Sequence, residues 1–505
     1  MEKVVYPRLL AAFLFPALGG LLYGYDIGAT AMVLFDLESA EYSGTKWYSR
    51  VRESPVIQGL ITSMVTVGAV IGSLACLKLE MTLGRRAELM VAASLYIIGS
   101  LGEYASADIF WLCVARCAYG VGVGFAMHGA PSYIAETAPA HLRGGLVSAK
   151  EAMIVVGMLA GYAAGDAYRR VEGGWRSTFL TAAPVGIFML AGMIALPRSP
   201  RWLALRGRRD EAKRAMRFVA PDASDEVFDA LFPKVVIDDY LEELDDDVHD
   251  GRPPEMCCGF VIPKTSLVAD PASRLGLVAG VGLVVLQQVT GQPSVLYYAA
   301  QLFDTVGLGS SATIYLASWK LLCTSLAVTS VDAFGRRALL FAGTCVMAVS
   351  LAGLACLTLP YVNASAYFVL VCMFLYIGGY QIGFGPVTWT VISEIFPLAR
   401  RGQALAVATV TNFTLNALVT FVAAPLLAVS APACFAAFFF LTLYTIRFVH
   451  VHVPETRGLA LEQITTMLRE RAAAAKDTSV SYGALPSAES KYAPSIDLVP
   501  SSARH

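Results

Sequence analysis

Two adjacent amide side chains, Gln287 and Gln288, lie in the middle of an apolar run of the chain. An amide both donates and accepts hydrogen bonds, so it suits a ligand that carries several hydroxyl groups. An unpaired amide is costly in an apolar environment, so both residues need partners. Four further residues lie in similarly apolar surroundings and could complete a binding site: Tyr297, Tyr298, Trp389 and Asn412. The alternative is that these groups only bond one helix to another.

Asp26 is a carboxylate within another apolar run, where a charge is expensive and usually serves a function. Arg116, in a separate apolar run, is the matching cation. The two predict a buried ion pair that is either part of a mechanism or a permanent structural contact. His128 follows Arg116 in the same run, and we interpret it as a hydrogen-bonded packing residue, with titration or ligand contact as the alternatives.

Two charged motifs occur twice, in corresponding parts of the chain. Gly84-Arg85-Arg86 recurs as Gly335-Arg336-Arg337. Glu136 and Arg143, seven residues apart, recur as Glu394 and Arg401. Bonds between arginine and carboxylate are geometrically specific, so these groups could form a latch that closes one face of the protein in one of two states. The alternative is that the arginines only orient the helices in a membrane.

The elements that carry these residues must be membrane-spanning helices. Of the 505 residues, 56% are hydrophobic and 15% are charged, against about 25% charged in an ordinary water-facing domain. Apolar runs of roughly 20 residues can cross a bilayer, and helices satisfy their own backbone groups there. Two sets of six such runs lie near 8–34, 56–78, 87–106, 109–131, 146–167 and 178–197, and near 273–302, 311–331, 337–360, 366–392, 403–428 and 431–452.

These sets predict an N-terminal half, residues 1–197, and a C-terminal half, residues 273–452. Residues 198–272 form a polar central loop, and residues 453–505 form a tail that is expected to be disordered after about residue 472. Lysine and arginine concentrate in the loops of one side, which places those loops and both termini in the cytosol. Pro293 in the seventh helix, and Pro386 with its neighbouring glycines in the tenth, are expected to interrupt their helices.

Several other classes of protein find no support in the sequence. The net charge of −1 gives no field that would attract nucleic acid. The ten cysteines include no C-x-x-C pair, so neither a zinc site nor a disulfide framework is predicted. An enzyme is not predicted either, because the sequence offers no nucleophile–base pair and no phosphate-binding glycine loop. The first apolar run is expected to be a helix and not a cleaved signal.

Seven motifs follow one another along the chain: Gly24-Tyr25-Asp26, Gly84-Arg85-Arg86, Arg116, Ser199-Pro200-Arg201-Trp202-Leu203, Gln287-Gln288, Gly385-Pro386 with Trp389, and Pro454-Glu455-Thr456-Arg457-Gly458. In combination they resemble the sugar porter family of the major facilitator superfamily over residues 8–470. Ala126-Met127-His128-Gly129-Ala130-Pro131 further resembles the plant vacuolar and plastid glucose transporters. The resemblance implies an all-α major facilitator fold with twelve transmembrane helices in two six-helix halves.

The resemblance also implies a function, which is transport of a hexose or pentose such as glucose with a proton, by alternating access. The amides and aromatic residues named above would bind the sugar, Asp26 would take the proton, and Arg116 would adjust the affinity of Asp26 for that proton. The cytosolic gate would comprise Gly84, Arg85, Arg86, Glu136, Arg143, Asp332, Gly335, Arg336, Arg337, Glu394, Arg401, Glu455 and Arg457. Beyond the proton as coupling ion, no metal or organic cofactor is implied. The implied partners are the sugar and the lipid bilayer, and the protein would work as a monomer.

The chain departs from the family pattern at several positions. Met158 and Pro293 stand where the family often has sugar-contacting amides, and Arg198 replaces the usual glutamate before Ser-Pro-Arg. These departures leave the identity of the sugar open. A facilitative uniporter of sugars or polyols, and a sugar sensor that does not transport, are the alternatives. The resemblance favours the vacuole or another endomembrane, with the plasma membrane as the alternative, and the lack of an Arg- and Ser-rich transit peptide argues against plastids.

Overall fold

The computed structural model of the protein describes residues 6–138, 140–221, 228, 256–257, 260–261, 271–298, 300, 303, 307, 309, 312–359, 366–396, 398–457, 464, 466–468 and 470–471. For some residues within these ranges only the backbone is described, and Arg143, Asp332 and Arg401 of the predicted gate are among them. Most of the central loop and the tail predicted to be disordered after about residue 472 lie outside the described residues.

The N-terminal half consists of helices joined by short connections. Its elements are α1 (Tyr6–Leu37), α2 (Tyr48–Glu53), α3 (Pro55–Leu83), α4 (Arg85–Ala105), α5 (Ile109–Thr137), α6 (Ala140–Tyr168), α7 (Gly174–Leu180) and α8 (Ala182–Ala195). Two short helices of the central loop follow, α9 (Pro200–Leu205) and α10 (Arg209–Val219). The helices α7 and α8 together make one span, because only Thr181 separates them and its backbone is also helical. Six spans thus precede the central loop.

The C-terminal half repeats this arrangement after a small hairpin of β1 (Met256–Cys257) and β2 (Phe260–Val261). Its helices are α11 (Pro271–Val289), α12 (Gln292–Tyr297), α13 (Ala312–Phe334), α14 (Arg336–Leu357), α15 (Ala366–Gly383), α16 (Gly385–Ile395) and α17 (Leu398–His452). The long α17 makes two spans, because Ser430 has non-helical backbone angles and divides it. With α11–α12 and α15–α16 as one span each, the described residues form six more spans, and the predicted fold class of twelve transmembrane helices is confirmed.

The outward-facing surface of the helices is apolar. Phe110, Val349 and Val429 are 66%, 72% and 84% exposed, as expected for side chains that face lipid and not water. By length and composition alone, nine helical segments of the described chain could cross a membrane. That number excludes α4 and α6, which carry more charged groups, and takes the second half of α17 together with the first.

Helix α1 packs closely on α6 because glycines line the contact. A Cβ on Gly24 would overlap the carbonyl oxygen of Ile154, and a Cβ on Gly157 would overlap that of Leu21. Small residues allow two membrane helices to approach backbone to backbone. The Gly24-Tyr25-Asp26 motif therefore combines a packing glycine with a carboxylate that is directed into the protein two residues later.

Two spans are broken where the sequence predicts it. Helix α11 ends at Val289 and α12 begins at Gln292, with Gly291 between them at a φ of 93° that favours glycine. The Tyr376 hydroxyl donates to the carbonyl of Thr290 at 2.9 Å, so a polar backbone group at the break has a partner, as an apolar environment requires. The second break, between α15 and α16, is milder, because Phe384 keeps helical backbone angles and Gly385-Pro386 follow it.

The two halves are joined by hydrogen bonds near the end that the predicted topology places away from the cytosol. The Tyr162 hydroxyl of α6 donates to the carbonyl of Leu296 at 2.9 Å. The hydroxyl groups of Tyr298 and Thr62 are 3.0 Å apart. The C-terminal half makes both contacts through α12 and the residue that follows it. Helix α3 also packs directly on α17, where a Cβ on Gly59 would overlap the carbonyl oxygen of Phe421.

Candidate substrate and proton site

The buried charges of the N-terminal half form one cluster around Arg116. Its Nη1 lies 3.2 Å from Asp26 Oδ1 and 3.5 Å from Glu103 Oε1. Its Nη2 donates to the Thr30 hydroxyl at 2.9 Å, and its Nε donates to the carbonyl of Ile61 at 2.6 Å. Arg116, Asp26 and Glu103 are 0%, 2% and 1% exposed. The structure thus brings together the pair predicted from the sequence and adds a second carboxylate to it.

The two adjacent glutamines have different partners. Gln288 Nε2 donates to Asn412 Oδ1 at 2.5 Å, and Gln288 Oε1 accepts from Asn416 Nδ2 at 3.2 Å. Gln287 Nε2 donates to the carbonyl of Phe384 at 3.4 Å, which lies at the break between α15 and α16. The amides thus connect α11 to α17 on one side and to a broken helix on the other.

Several buried polar atoms around the two helix breaks have no hydrogen-bond partner within the described protein. They are Gln287 Oε1 of α11, the Tyr297 hydroxyl of α12, Gln381 Oε1 of α15 and Thr388 Oγ1 of α16. Buried polar atoms are nearly always bonded, so each exception calls for an explanation. A ligand that carries several hydroxyl groups offers donors and acceptors of the kind that these atoms lack.

The aromatic residues predicted for the site lie in three different environments. Tyr297 is 1% exposed and lies within electrostatic range of Asp26 and Arg116. Tyr298 instead contacts Thr62 across the two halves. Trp389 is partly buried and packs against the core. Of the three, Tyr297 is therefore the best placed to contact both a ligand and the charges.

The arginines of the N-terminal gate bond within their own half. Arg85 Nε lies 3.3 Å from Glu136 Oε1, and the hydroxyl of Ser199 donates to the other oxygen of Glu136. Arg86 donates to the carbonyls of Met193 and Ile194 at 2.9 and 2.6 Å. These carbonyls belong to the last turn of α8, where helical carbonyls lack intrahelical partners and cations are favourable. The motif thus ties α4 to α5 and α8.

The C-terminal gate has corresponding contacts and one additional group. Arg336 Nη2 lies 2.7 Å from Glu394 Oε1, whose second oxygen accepts from the Thr456 hydroxyl at 2.6 Å. Arg337 Nη2 donates to the carbonyl of His450 at 2.9 Å. In addition, the carboxylate of Glu455 accepts from the backbone N–H groups of Arg336 and Arg337, both at 3.1 Å. Glu455 therefore caps the N-terminus of α14.

The two gates differ at one equivalent position. Ser199 bonds Glu136 just as Thr456 bonds Glu394, so the residue before each, Arg198 or Glu455, occupies the same place in its half. The N-terminal half therefore carries a cation where the C-terminal half carries the capping carboxylate. Here Trp202 covers the start of α4, and a Cβ on Gly84 would lie 2.7 Å from its ring.

The chain that follows Glu455 packs against the protein as far as it is described. The backbone N–H of Arg457 donates to Glu455 Oε1 at 3.1 Å, and the side chains of Ile464 and Leu468 are only 1% and 3% exposed. Burial, and to a smaller extent the guanidinium of Arg337, lower the pKa of Arg471. The first part of the predicted tail is therefore docked near the C-terminal gate.

Two residues of these sites were missed in the sequence although a signal existed. Glu103 is a carboxylate in an apolar run, and the argument that singled out Asp26 applies to it equally. Asn416 lies four residues after Asn412, so both occupy one face of a helix. By contrast, Gln381 and Thr388 carry no such signal, because polar residues near a helix break can equally serve the break itself.

Known proteins resemble this chain over nearly its whole length. A family model described as sugar (and other) transporter matches residues 12–468. The chain is 41% identical to D-xylose-proton symporter-like 3, chloroplastic, of Arabidopsis thaliana, over 92% of this chain and 84% of that protein. It is 31% identical to the glucose transporter GlcP of Staphylococcus epidermidis, over 92% and 98%. The solved structure of the proton:xylose symporter XylE of E. coli with 6-bromo-6-deoxy-D-glucose matches with a TM-score of 0.70 and 26% identity, over 92% and 99%.

Proposed function

The chain belongs to the sugar (and other) transporter family of the major facilitator superfamily, and from this membership we propose that it is a proton-coupled sugar symporter that works by alternating access. It is a multi-pass membrane transporter and not an enzyme. The observation that carries the proposal is the buried cluster of Asp26, Glu103 and Arg116 in the N-terminal half. The C-terminal half adds buried polar atoms that have no hydrogen-bond partner among the described residues.

The charges of the cluster explain why it would bind a proton. Two carboxylates and one guanidinium sum to −1 when all three are ionised. A net charge that is removed from water is expensive, so one proton neutralises the cluster and stabilises it. Asp26 and Glu103 contact the same guanidinium nitrogen at 3.2 and 3.5 Å, so both carboxylates are placed to carry that proton. We propose that Asp26 takes the transported proton and that Arg116 adjusts the affinity of Asp26 for it, with Glu103 as the second carboxylate of the site.

The sugar would occupy the space between the helix breaks of the C-terminal half. Gln287, Gln288 and Asn412 would bond its hydroxyl groups, and Trp389 would cover an apolar face of its ring. Tyr297 would bond the sugar while lying within range of the charge cluster, and in this way the occupancy of one site would influence the other. Tyr298 would serve the contact between the halves, which has to open when the sugar enters or leaves from that side.

Several finer points belong to the same proposal. The proton is the coupling ion, the sugar is a hexose or pentose, and the protein functions as a monomer in the bilayer. Both termini face the cytosol, since the basic loops share that side. For the membrane we propose the vacuolar membrane, another endomembrane or the plasma membrane, and the name of the chloroplastic relative makes a plastid membrane a further candidate. The names of the relatives support xylose and glucose as the first sugars to test.

The proposal is tested with the purified protein in vesicles to which labelled xylose, glucose or inositol is added in turn. Symport predicts that an imposed pH gradient drives one of the sugars to a concentration above equilibrium, and that collapse of the gradient abolishes the accumulation. Equilibration at the same rate with and without the gradient would establish a uniporter instead. Sugar binding without any flux would establish a sensor, and flux of inositol alone would establish a polyol carrier.

A further inference from the structure

Three side chains from separate helices meet in the interior of the N-terminal half, away from the sugar and proton site. Cys76 of α3, Glu88 of α4 and His128 of α5 each direct one possible metal-binding atom to a common point, and these atoms all lie within 4.8 Å of one another. His128 Nδ1 lies 3.2 Å from Glu88 Oε2. Cys76 and Glu88 are 0% exposed, and the side chain of His128 is 15% exposed.

The carboxylate of Glu88 is the part of this cluster that requires an explanation. Its Oε1 is buried and accepts no hydrogen bond from the described residues, although an ionised carboxylate away from water needs a partner for each oxygen. The neighbouring Gly129 leaves room for the group, since a Cβ there would lie 3.2 Å from Glu88 Oε2. A missing cation would account for the buried oxygen.

The ligand set matches a divalent transition metal in type and charge, and one of its three separations matches in length. A thiolate and a carboxylate supply two negative charges, and with a neutral imidazole they balance one divalent cation, which gives a neutral site in an apolar interior. Zinc accepts all three ligand types at distances of about 2.0–2.3 Å. Two ligands of a tetrahedral site are then roughly 3.3–3.6 Å apart, close to the observed separation of the His128 and Glu88 atoms. Calcium and magnesium prefer oxygen ligands and fit less well.

We propose that Cys76, Glu88 and His128 bind one zinc-type divalent cation, with the fourth coordination position left to water. No local sequence motif predicts the site, because Glu88 lies 12 residues after Cys76 and His128 lies 40 residues after Glu88, by subtraction of their numbers. The bound cation joins α3, α4 and α5 near the cytosolic ends of α3 and α4. Glu88 stands one turn after Arg85, and His128 stands two turns before Glu136, so the cation would also fix the positions of the helices that carry the Arg85–Glu136 contact.

The test uses the full-length purified protein, freed of metal with a chelator and titrated with Co²⁺ as a spectroscopic substitute for zinc. A cysteine thiolate bound to Co²⁺ gives an intense near-ultraviolet charge-transfer band, and a tetrahedral site gives strong visible bands. We expect both to saturate at a single equivalent per chain and to disappear when Zn²⁺ is added. Cys76→Ser should abolish the charge-transfer band, and His128→Ala should lower the affinity at least ~100-fold.

Cys434→Ser is the matched control, because Cys434 is also 0% exposed but lies in α17. It should leave the titration unchanged, and Zn²⁺ should raise the melting temperature of this variant and of the wild type, but not that of Cys76→Ser. Two results would overturn the proposal. One is the absence of a charge-transfer band in the wild type, and the other is a band of equal strength in the wild type and in Cys76→Ser. Transport activity is not needed for either readout, so the outcome is independent of the proposed symport.

Discussion

The carboxylate of Glu455 offers the most direct test of how the gate is held together. It accepts from the backbone N–H groups of Arg336, Arg337, Thr456 and Arg457, each at 3.1 Å. It thereby caps α14 and holds the chain after α17 against it. Replacement of Glu455 by alanine removes all four bonds and leaves the salt bridge between Arg336 and Glu394 in place.

The expected size of the effect follows from these bonds. Loss of a side chain that caps a helix N-terminus costs about 0.5–2 kcal/mol, and bonds to a charged acceptor contribute more than neutral ones. Glu455 is only partly buried, so water replaces some of what is lost. We therefore expect Glu455→Ala to destabilise the first turn of α14 by about 2 kcal/mol, which corresponds to a roughly 30-fold increase in its local opening equilibrium.

Amide hydrogen exchange of the purified protein measures this opening directly. The amides in the first turn of α14 should exchange roughly 30-fold faster in Glu455→Ala, while those in the middle of α14 change little. Arg198→Ala is the matched control, because Arg198 occupies the equivalent place in the other half without bonding the start of α4. Equal acceleration of exchange at the start of α14 in Glu455→Ala and at the start of α4 in Arg198→Ala would refute the idea that a single carboxylate distinguishes the two gates. So would unchanged exchange at α14 in Glu455→Ala.

Three further predictions concern the sugar, the latch and the proton. Gln287→Ala and Gln288→Ala should each weaken sugar binding by about 1–2 kcal/mol, the scale of a lost hydrogen bond, and unchanged affinity in both would exclude them from the site. Arg336→Ala and Glu394→Ala should increase the labelling of cysteines introduced between the two halves near the predicted gate, whereas labelling identical to wild type would leave these residues a purely topological role. Asp26→Asn should still exchange sugar across vesicles but lose accumulation under a pH gradient, because an amide cannot release a proton, and accumulation like that of wild type would make Asp26 a structural partner only.

Much of the fold could be predicted because lipid imposes a simple pattern. Each span must be long and apolar, so the composition of the chain reveals it, and glycine and proline mark the breaks at Gly291 and Pro386. The break at Ser430 is marked less clearly in the sequence, because a continuous apolar stretch can form one long helix or two shorter ones. Only the change of direction in space separates them.

The sites were predictable only where the polarity of one residue differs from that of the sequence around it. Asp26 and Arg116 are charges in apolar runs, so they could be paired from the sequence before any distance was known. The asymmetry of the gates was visible as Arg198, but its consequence depends on where Glu455 bonds in the other half. The convergence of Cys76, Glu88 and His128 could not be predicted, because it depends on the packing of three helices.

The short helix α12, with Tyr298 after it, makes two of the hydrogen bonds between the two halves. Because Gly291 separates it from α11, this six-residue helix can leave the N-terminal half without bending the long helix before it. Its departure breaks the hydrogen bonds of Tyr162 and Tyr298, each worth about 0.5–1.5 kcal/mol. Thermal motion can supply an amount of this size within microseconds to milliseconds. Substitutions at Tyr162 or Thr62 should therefore change the turnover rate without touching the sugar, and they offer a way to set the speed of the carrier separately from its selectivity.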